Sequence, residues 1–271
     1  MMTLLRQLAT WLGLISPVTY AYPALDVSLT SGGRLHLVGS IHMGSEAMSP
    51  LPEVLLQQLQ QSTALVVEAD ISDMGSPLQE EYEPIPLAER LDPERYQLFQ
   101  QHCEALALSL NRFENLPAWH AALTLQAMQA QSLGLRPHYG IDYQLIQAAK
   151  AANIPVIELE GQQEQLAMLR QLPQGGVALL EDTLDHWHVN ARLLQVMTGW
   201  WLEGPPAKSA AAMPATFSHA LSEVLMRQRN TRWRDQLQAL PSGHYVVAVG
   251  ALHLYGDNSL PSLLQPVNAK Q

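Results

Sequence analysis

Hydrophobic and polar positions follow two patterns along the chain, and each pattern predicts one kind of element. Continuous runs of Val, Leu and Ile are typical of strands that are buried on both faces of a sheet. Apolar residues spaced three or four positions apart predict helices with one face against a core. The predicted strands cover residues 24–30, 34–41, 64–67, 154–161 and 244–249.

The helical pattern fills the intervals between these strands. One helix is expected to begin after Pro50 with Ser49 as its N-cap, and Asp142 is the expected N-cap of a later helix. Two proline-rich stretches, 71–92 and 204–215, are predicted to be a loop and a connection, because proline interrupts regular hydrogen bonding. The remaining predicted helices cover residues 93–109, 117–133, 142–152, 162–172, 176–201 and 217–240.

The composition narrows the class of protein. The 271 residues suffice for one α/β unit, and the 47% hydrophobic content and mean hydropathy of −0.03 are typical of soluble globular chains. The formal net charge of −10 argues against nucleic-acid binding, which requires a basic surface. The single cysteine, Cys103, excludes an internal disulfide and is expected to serve in packing. No apolar stretch is long enough to predict a transmembrane segment.

The first 21 residues are predicted to be either an amphipathic N-terminal helix or a weak signal segment. Leu4, Leu8, Trp11 and Ile15 share one side of such a helix. A signal peptide usually has a longer apolar core and a more strongly charged start. Cytoplasm and periplasm are both compatible with this segment, and the cytoplasm is favoured.

Two copies of a Gly-x-x-His motif follow predicted strands at opposite ends of the chain. Gly39 precedes His42, and Gly250 precedes His253, each after an apolar run. One copy alone is explained by a turn with a hydrogen-bonded histidine, but two copies with matching apolar lead-ins favour a functional pair. Imidazole is both a metal ligand and a general base near neutral pH.

Acidic residues also follow predicted strands, where open α/β sheets place their binding groups. Glu68 comes directly after the strand at 64–67. Alternation along the strand at 154–161 places Glu158 and Glu160 on the same side. Two neighbouring carboxylates require a cation or a proton unless solvent reaches them. Arg229 and Asn230 lie on the predicted helix at 217–240, where arginines more often form a solvated face.

Six short motifs lie at 39–44, 66–68, 139–142, 158–160 together with Gln165, 228–230 and 249–254. Taken together and in this order, they resemble the TraB/GumN family over residues 20–265. The order and spacing of all six are more specific than any one of them. The wider superfamily includes Tiki-type metalloproteases, erythromycin-esterase-like enzymes and haem-binding lipoproteins of the ChaN type.

The resemblance implies an α/β fold with a mostly parallel central sheet flanked by helices and the two Gly-x-x-His elements adjacent in it. We expect a single domain over 22–266, with a helical insertion or cap at 93–150 between the N- and C-terminal strands. The family motifs carry functional positions onto this chain. The matching residues are His42, Glu68, Glu160, Arg229, Asn230 and His253, and Glu158 lies beside Glu160 but matches less clearly.

The resemblance and the residue chemistry lead to three hypotheses. The first is a metal-dependent hydrolase of peptide bonds, with His42, Glu68 and His253 as ligands of Mn²⁺, Co²⁺ or Zn²⁺. Glu160 is then the general base or a further ligand, and Arg229 stabilises an oxyanion or holds a substrate carboxylate.

The second hypothesis is a metal-free hydrolase that uses histidine and glutamate directly as base and acid. The third is a protein that binds a peptide or haem without catalysis. Asn230 and Glu158 are expected to contact the substrate under the enzymatic hypotheses. The expected partner is a peptide or a small molecule, and the sequence predicts no oligomeric state.

Overall fold

A five-stranded sheet forms the centre of the molecule in the computed structural model, which describes residues 20–72, 82–205, 219–256 and 258–265. The order across the sheet is β1-β2-β5-β3-β4. Only β1 runs antiparallel to its neighbour, so the prediction of a mostly parallel sheet flanked by helices is confirmed. The strands are β1 (Ala24–Ser28), β2 (Arg34–Ser40), β3 (Ala64–Val67), β4 (Val156–Glu158) and β5 (His244–Gly250).

The apolar runs explain which strands lie in the middle of the sheet. β2, β3 and β5 are buried along almost their whole length, because helices cover both faces of the sheet. β2 and β5 pair in parallel, and their register sets Ser40 opposite Gly250. The two Gly-x-x-His elements therefore leave the sheet side by side, as the family resemblance implied.

Eleven helical segments of the α type surround the sheet in the described part of the chain. A π-helical turn (Glu223–Arg227) connects the short segment His219–Ser222 to the longer segment Gln228–Gln238. The eleven segments are α1 (Glu53–Gln60), α2 (Leu87–Arg90), α3 (Pro93–Ala105), α4 (Ala118–Ser132), α5 (Ile141–Ala151), α6 (Gln162–Arg170), α7 (Val177–Asp185), α8 (Trp187–Glu203), α9 (His219–Ser222), α10 (Gln228–Gln238) and α11 (Leu260–Leu264). Short 3-10 helices occupy Glu46–Met48, Leu110–Arg112, Pro137–Tyr139, Pro173–Gly176 and Ala251–Leu254.

Three predictions of local structure are wrong in detail. Pro52, and not Ser49, precedes α1, because a 3-10 helix that ends at Ser49 comes first. The helix predicted at 176–201 is two helices, since the backbone at His186 leaves the helical region between α7 and α8. The loop predicted at 71–92 contains α2. Residues 73–81 of the predicted loop, 206–215 of the predicted connection and the first two residues of the helix predicted at 217–240 lie outside the described part.

Three hydrophobic clusters account for the packing. Two of them cover opposite faces of the sheet, one around Trp201 and α5, the other around Trp233 and α11. The third lies among α3, α4 and α7 and includes Phe99, Trp119 and the buried Cys103. α5, although it was predicted within the cap region, packs on the sheet and not with α3 and α4.

No helix among the described residues combines the length and the apolar character that crossing a bilayer requires. Residues 1–19, which hold almost all of the predicted N-terminal helix or signal segment, lie outside the described part of the chain.

Candidate functional site

Four of the predicted site residues follow four neighbouring parallel strands. His42 comes after β2, His253 after β5, Glu68 after β3 and Glu160 after β4. Because the carboxyl ends of parallel strands meet at one edge of a sheet, these side chains gather along one line. Arg229 reaches the same edge from α10 and joins the acidic pair to the second histidine.

His42 is held from one side and open to solvent on the other. Its Nδ1 forms a short hydrogen bond to a carboxylate oxygen of Asp142, and its side chain is 62% exposed, against 8% for Asp142. The charge of Asp142 is the largest influence on the imidazole and raises the pKa of His42 above its ordinary value.

Two glycines allow the backbone contacts that set Asp142 opposite His42. A Cβ on Gly140 would lie 2.3 Å from the carbonyl oxygen of His42, and one on Gly44 would lie 2.1 Å from the carbonyl oxygen of Tyr139. The amide of Ile141 then donates to the carbonyl of Ile41 at 3.0 Å. Only glycine permits so close an approach of two backbones.

The predicted role of Asp142 as an N-cap is wrong. Gly140 precedes α5, no side chain caps this helix, and Asp142 lies in its first turn. Its Oδ2 bonds His42, while its Oδ1 accepts from the amide of Tyr143 at 3.0 Å. Sequence reasoning missed this partner because an aspartate at the start of a helix predicts capping first. The spacing of Asp142 within the motif at 139–142 was the available signal.

His253 is buried and neutral in character. Its ring is 4% exposed, its Nδ1 lies 2.6 Å from the amide oxygen of Asn230, and its centroid lies 4.4 Å from the ring of Trp233. The bond to the amide oxygen fixes the proton on Nδ1. Burial, with Arg229 acting in the same direction, lowers the pKa of His253 to about 4. Asn230 donates in turn to the carbonyl of Asn258 at 3.0 Å.

Glu68 connects β3 to β5 and to α10. One of its oxygens accepts from the amide of Gly250 at 2.7 Å, and the other accepts from Arg229 at 2.5 Å and from Gln165 at 3.4 Å. Burial opposes the charge of Glu68, but Arg229, His253 and His42 outweigh it and lower the pKa of Glu68 to about 2. The carboxylate therefore stays ionised at any pH near neutrality.

Arg229 directs its donors at acceptors of the protein itself. It bonds both oxygens of Glu160, at 2.9 and 3.1 Å from Nε and 2.9 Å from Nη2, and its Nη1 lies 3.2 Å from the carbonyl of Leu225. Leu225 belongs to the π-helical turn, and such turns occur often at functional sites. The guanidinium also stacks 4.5 Å from the ring of Trp233. Burial opposes its charge, but Glu68 and Glu160 raise the pKa of Arg229 further above its ordinary value.

Glu158 and Glu160, which were predicted on the same side of one strand, have different surroundings. β4 ends at Glu158, so strand alternation does not extend to Glu160. Glu160 is buried under Arg229, whereas Glu158 is exposed and accepts from the amide of Asp70 at 2.6 Å. Sequence reasoning also passed over Arg232, which donates to Glu160 at 3.1 Å. The structure thus brings His42, Glu68, Glu160, Arg229, Asn230 and His253 to one edge, with Asp142 and Arg232 added and Glu158 beside them.

A divalent ion is the cofactor that the resemblance implies at His42, Glu68 and His253. The imidazoles match in type, since each holds Nδ1 against an oxygen, as the imidazoles of metal sites commonly do. The arrangement does not match, because the guanidinium of Arg229 lies 2.5 Å from Glu68 and 3.4 Å from Nε2 of His253. Within the described part of the chain, no group of three or more His, Cys, Asp or Glu is placed to hold an ion.

Comparison with known proteins extends the match of a few motifs to almost the whole chain. The model of the TraB/PrgY/gumN family matches residues 27–269. The uncharacterized protein YbaP of Escherichia coli (strain K12) is 53% identical over 246 residues, which are 91% of this chain and 93% of YbaP. The YbaP of Shigella flexneri matches to the same extent. No solved structure matches the chain. The chain belongs to the TraB/PrgY/gumN family.

Proposed function

We propose that the chain is a hydrolase of amide or ester bonds and that His42 is its proton-transferring residue. The observation that carries this proposal is the pair of His42 and Asp142. One ring nitrogen is held by a buried carboxylate, while the ring itself is open to solvent and so to a substrate. Among the described residues nothing bonds Nε2 of His42, which leaves that nitrogen for a water or a leaving group.

In the proposed reaction, the neutral form of His42 accepts a proton from water through Nε2 as the water oxygen attacks the carbonyl carbon. Asp142 keeps the proton of the neutral ring on Nδ1 and stabilises the imidazolium that forms. The imidazolium then gives its proton to the leaving nitrogen or oxygen as the bond to carbon breaks. One water is consumed, and His42 returns to its starting state.

The buried ions support this site by fixing the strand ends. Arg229 holds Glu68 and Glu160, and Glu68 holds the amide of Gly250, so the ends of β3, β4 and β5 are tied together. Because its donors are directed at these carboxylates, Arg229 acts in the proposed mechanism as a positioning residue and not as an oxyanion donor.

Metal-dependent hydrolysis is the second candidate, and the donor types favour it, since His42 and His253 both hold Nδ1 against an oxygen. A bound divalent ion would supply an activated water and polarise the carbonyl. His42, His253 and Glu68 would hold it only if Arg229 moved away from Glu68 and from Nε2 of His253. Turnover that ends on strong chelation and returns on adding Mn²⁺, Co²⁺ or Zn²⁺ would select this candidate, and turnover that survives chelation would select the metal-free reaction.

The test is a screen of peptide and ester substrates with the purified chain and its His42→Gln variant. Glutamine keeps a polar side chain of similar length but cannot carry the proton. We expect the variant to lose about 10²–10⁴-fold in turnover. The matched control is His186→Gln, because His186 also pairs with a helical aspartate, Asp182, away from the sheet edge.

Equal loss in both variants, or full activity of His42→Gln, would overturn the assignment of His42. Tight binding of a peptide or haem without turnover would favour the hypothesis of a binding protein without catalysis.

A further inference from the structure

Two carboxylates at the sheet edge, those of Glu68 and Glu160, lie beneath arginine side chains. The side chains of Glu68 and Glu160 are 8% and 3% exposed, and Arg229 lies over both. The side chain of Arg232 is 52% exposed and forms the outermost charge of this group. A solute that approaches the end of β4 therefore meets two exposed side chains of opposite charge, Arg232 and Glu158, and the carboxylate of Glu158 already accepts from the amide of Asp70.

The guanidinium of Arg232 has N–H donors that are not engaged by the described residues. One of its terminal nitrogens, Nη2, bonds Glu160 at 3.1 Å, and among the described residues no other partner holds the guanidinium. Glu160 already receives three bonds from Arg229, so it does not require Arg232 for its neutralisation. An arginine carries five N–H donors in a planar fork that fits a carboxylate. The bond to Glu160 orients this fork and leaves most of it available.

The strand order gives the separation of the strand ends near which His42 and Arg232 lie. β2 and β4 are separated by β5 and β3, which makes three interstrand spacings, or about 14 Å at ~4.8 Å each. His42 follows β2, and Glu160, which orients Arg232, follows β4. An extended peptide rises ~3.4 Å per residue, so a stretch of about four residues covers this distance.

We propose that Arg232 is a specificity-determining residue that binds a carboxylate of an extended substrate, about four residues away from the bond positioned at His42. The substrate class is a short peptide that carries this carboxylate, either as its C-terminus or as an acidic side chain. The inference rests on the proposed function for the position of the reacting bond, but binding of the carboxylate does not depend on turnover.

The test measures binding of three probes by calorimetry to the full chain. The probes are acetyl-tetra-alanine with a free C-terminal carboxylate, its C-terminal amide, and the amide in which the last residue is glutamate. The variants are Arg232→Gln and, as a matched control, Arg227→Gln, because Arg227 is 57% exposed and also bonds one glutamate, Glu223.

We expect the chain to bind at least one carboxylate probe about 10-fold to 100-fold more tightly than the neutral amide. Arg232→Gln should remove this preference, and Arg227→Gln should keep it. The tetra-alanine carboxylate and the glutamate amide separate the C-terminus from the side chain as the preferred group. If a substrate of the screen is cleaved, Arg232→Gln should raise KM for its acidic form and leave kcat unchanged.

Three results would overturn the assignment: equal binding of all probes, no binding of any, or equal losses in both variants. A carboxylate preference without any hydrolysis would keep this inference and remove the proposed function. Hydrolysis that depends on His42 but is equally fast for substrates with and without a carboxylate would keep the proposed function and remove this inference.

Discussion

The two Gly-x-x-His elements have the same sequence pattern and opposite environments. Both histidines leave paired parallel strands, and both use Nδ1 to contact an oxygen of a helical residue. His42 has a carboxylate partner and an exposed ring, whereas His253 has a neutral amide partner and a buried ring. The pKa of His42 is raised, and that of His253 is lowered to about 4.

This difference indicates a division of roles within one repeated motif. When the environments of two titratable groups move their pKa values apart, the groups suit different tasks in proton transfer. The exposed copy with the charged partner is suited to exchange a proton with a substrate. The buried copy is suited to hold Arg229, Trp233 and Asn230 in place. The predictions below test this division, beginning with the largest expected effect.

Removing Arg229 should disrupt the buried copy and the whole molecule with it. Arg229→Met leaves the carboxylates of Glu68 and Glu160 buried without their main partner, and we expect a loss of about 3–5 kcal/mol in the free energy of unfolding. Urea denaturation measures this loss. Arg227→Met, on an exposed i,i+4 pair, should cost less than about 1 kcal/mol. Equal costs for the two variants would contradict a structural role for the buried ions.

The stability of the chain should depend on pH through Glu68. Its pKa in the folded chain is about 2, against an ordinary value of 4.5. Ionised Glu68 therefore stabilises the fold above pH 4.5, by about 3 kcal/mol, and this contribution is lost as the pH falls from 4.5 toward 2. We expect Glu68→Gln to be less stable than the native chain at pH 7 and to approach it near pH 3. A constant difference over this range would rule out Glu68 as the source.

The exposed copy should respond in activity more than in stability. Asp142→Asn keeps the shape of the partner but removes its charge, and we expect turnover to fall by about 100-fold, or about 2.7 kcal/mol. The pKa of His42 should fall as well, so the alkaline rise in activity should begin at lower pH. The control is Asp182→Asn, which removes the carboxylate from the Asp182–His186 pair and should leave turnover unchanged.

The sheet was predictable from the sequence because continuous apolar runs have one stable position, the middle of a covered sheet. The adjacency of the two Gly-x-x-His elements followed from the resemblance, and the register of β2 and β5 gives its physical basis. The role of Asp142 was not predictable from the helix pattern, because capping a helix and pairing with a distant histidine require the same residue at the start of the helix. What decides between them is the contact of Gly140 with the backbone of His42, a tertiary feature.

The break at His186 and the π-helical turn before Arg229 escaped prediction for a related reason. Both interrupt stretches whose apolar spacing continues through the interruption, so periodicity alone predicts one helix. In each case the packing of side chains, and not the local pattern, determines where the helix changes.

The smallest expected effect comes from giving the buried histidine the same kind of partner as the exposed one. Asn230→Asp gives His253 a carboxylate at Nδ1, as Asp142 gives His42, and should raise the pKa of His253 by about one pH unit, or about 1.4 kcal/mol. NMR titration of the ring measures this change. Because burial still opposes the charge, the pKa should remain below that of His42. If the two values become equal, the partner alone makes the copies differ; if His253 does not respond, burial alone does.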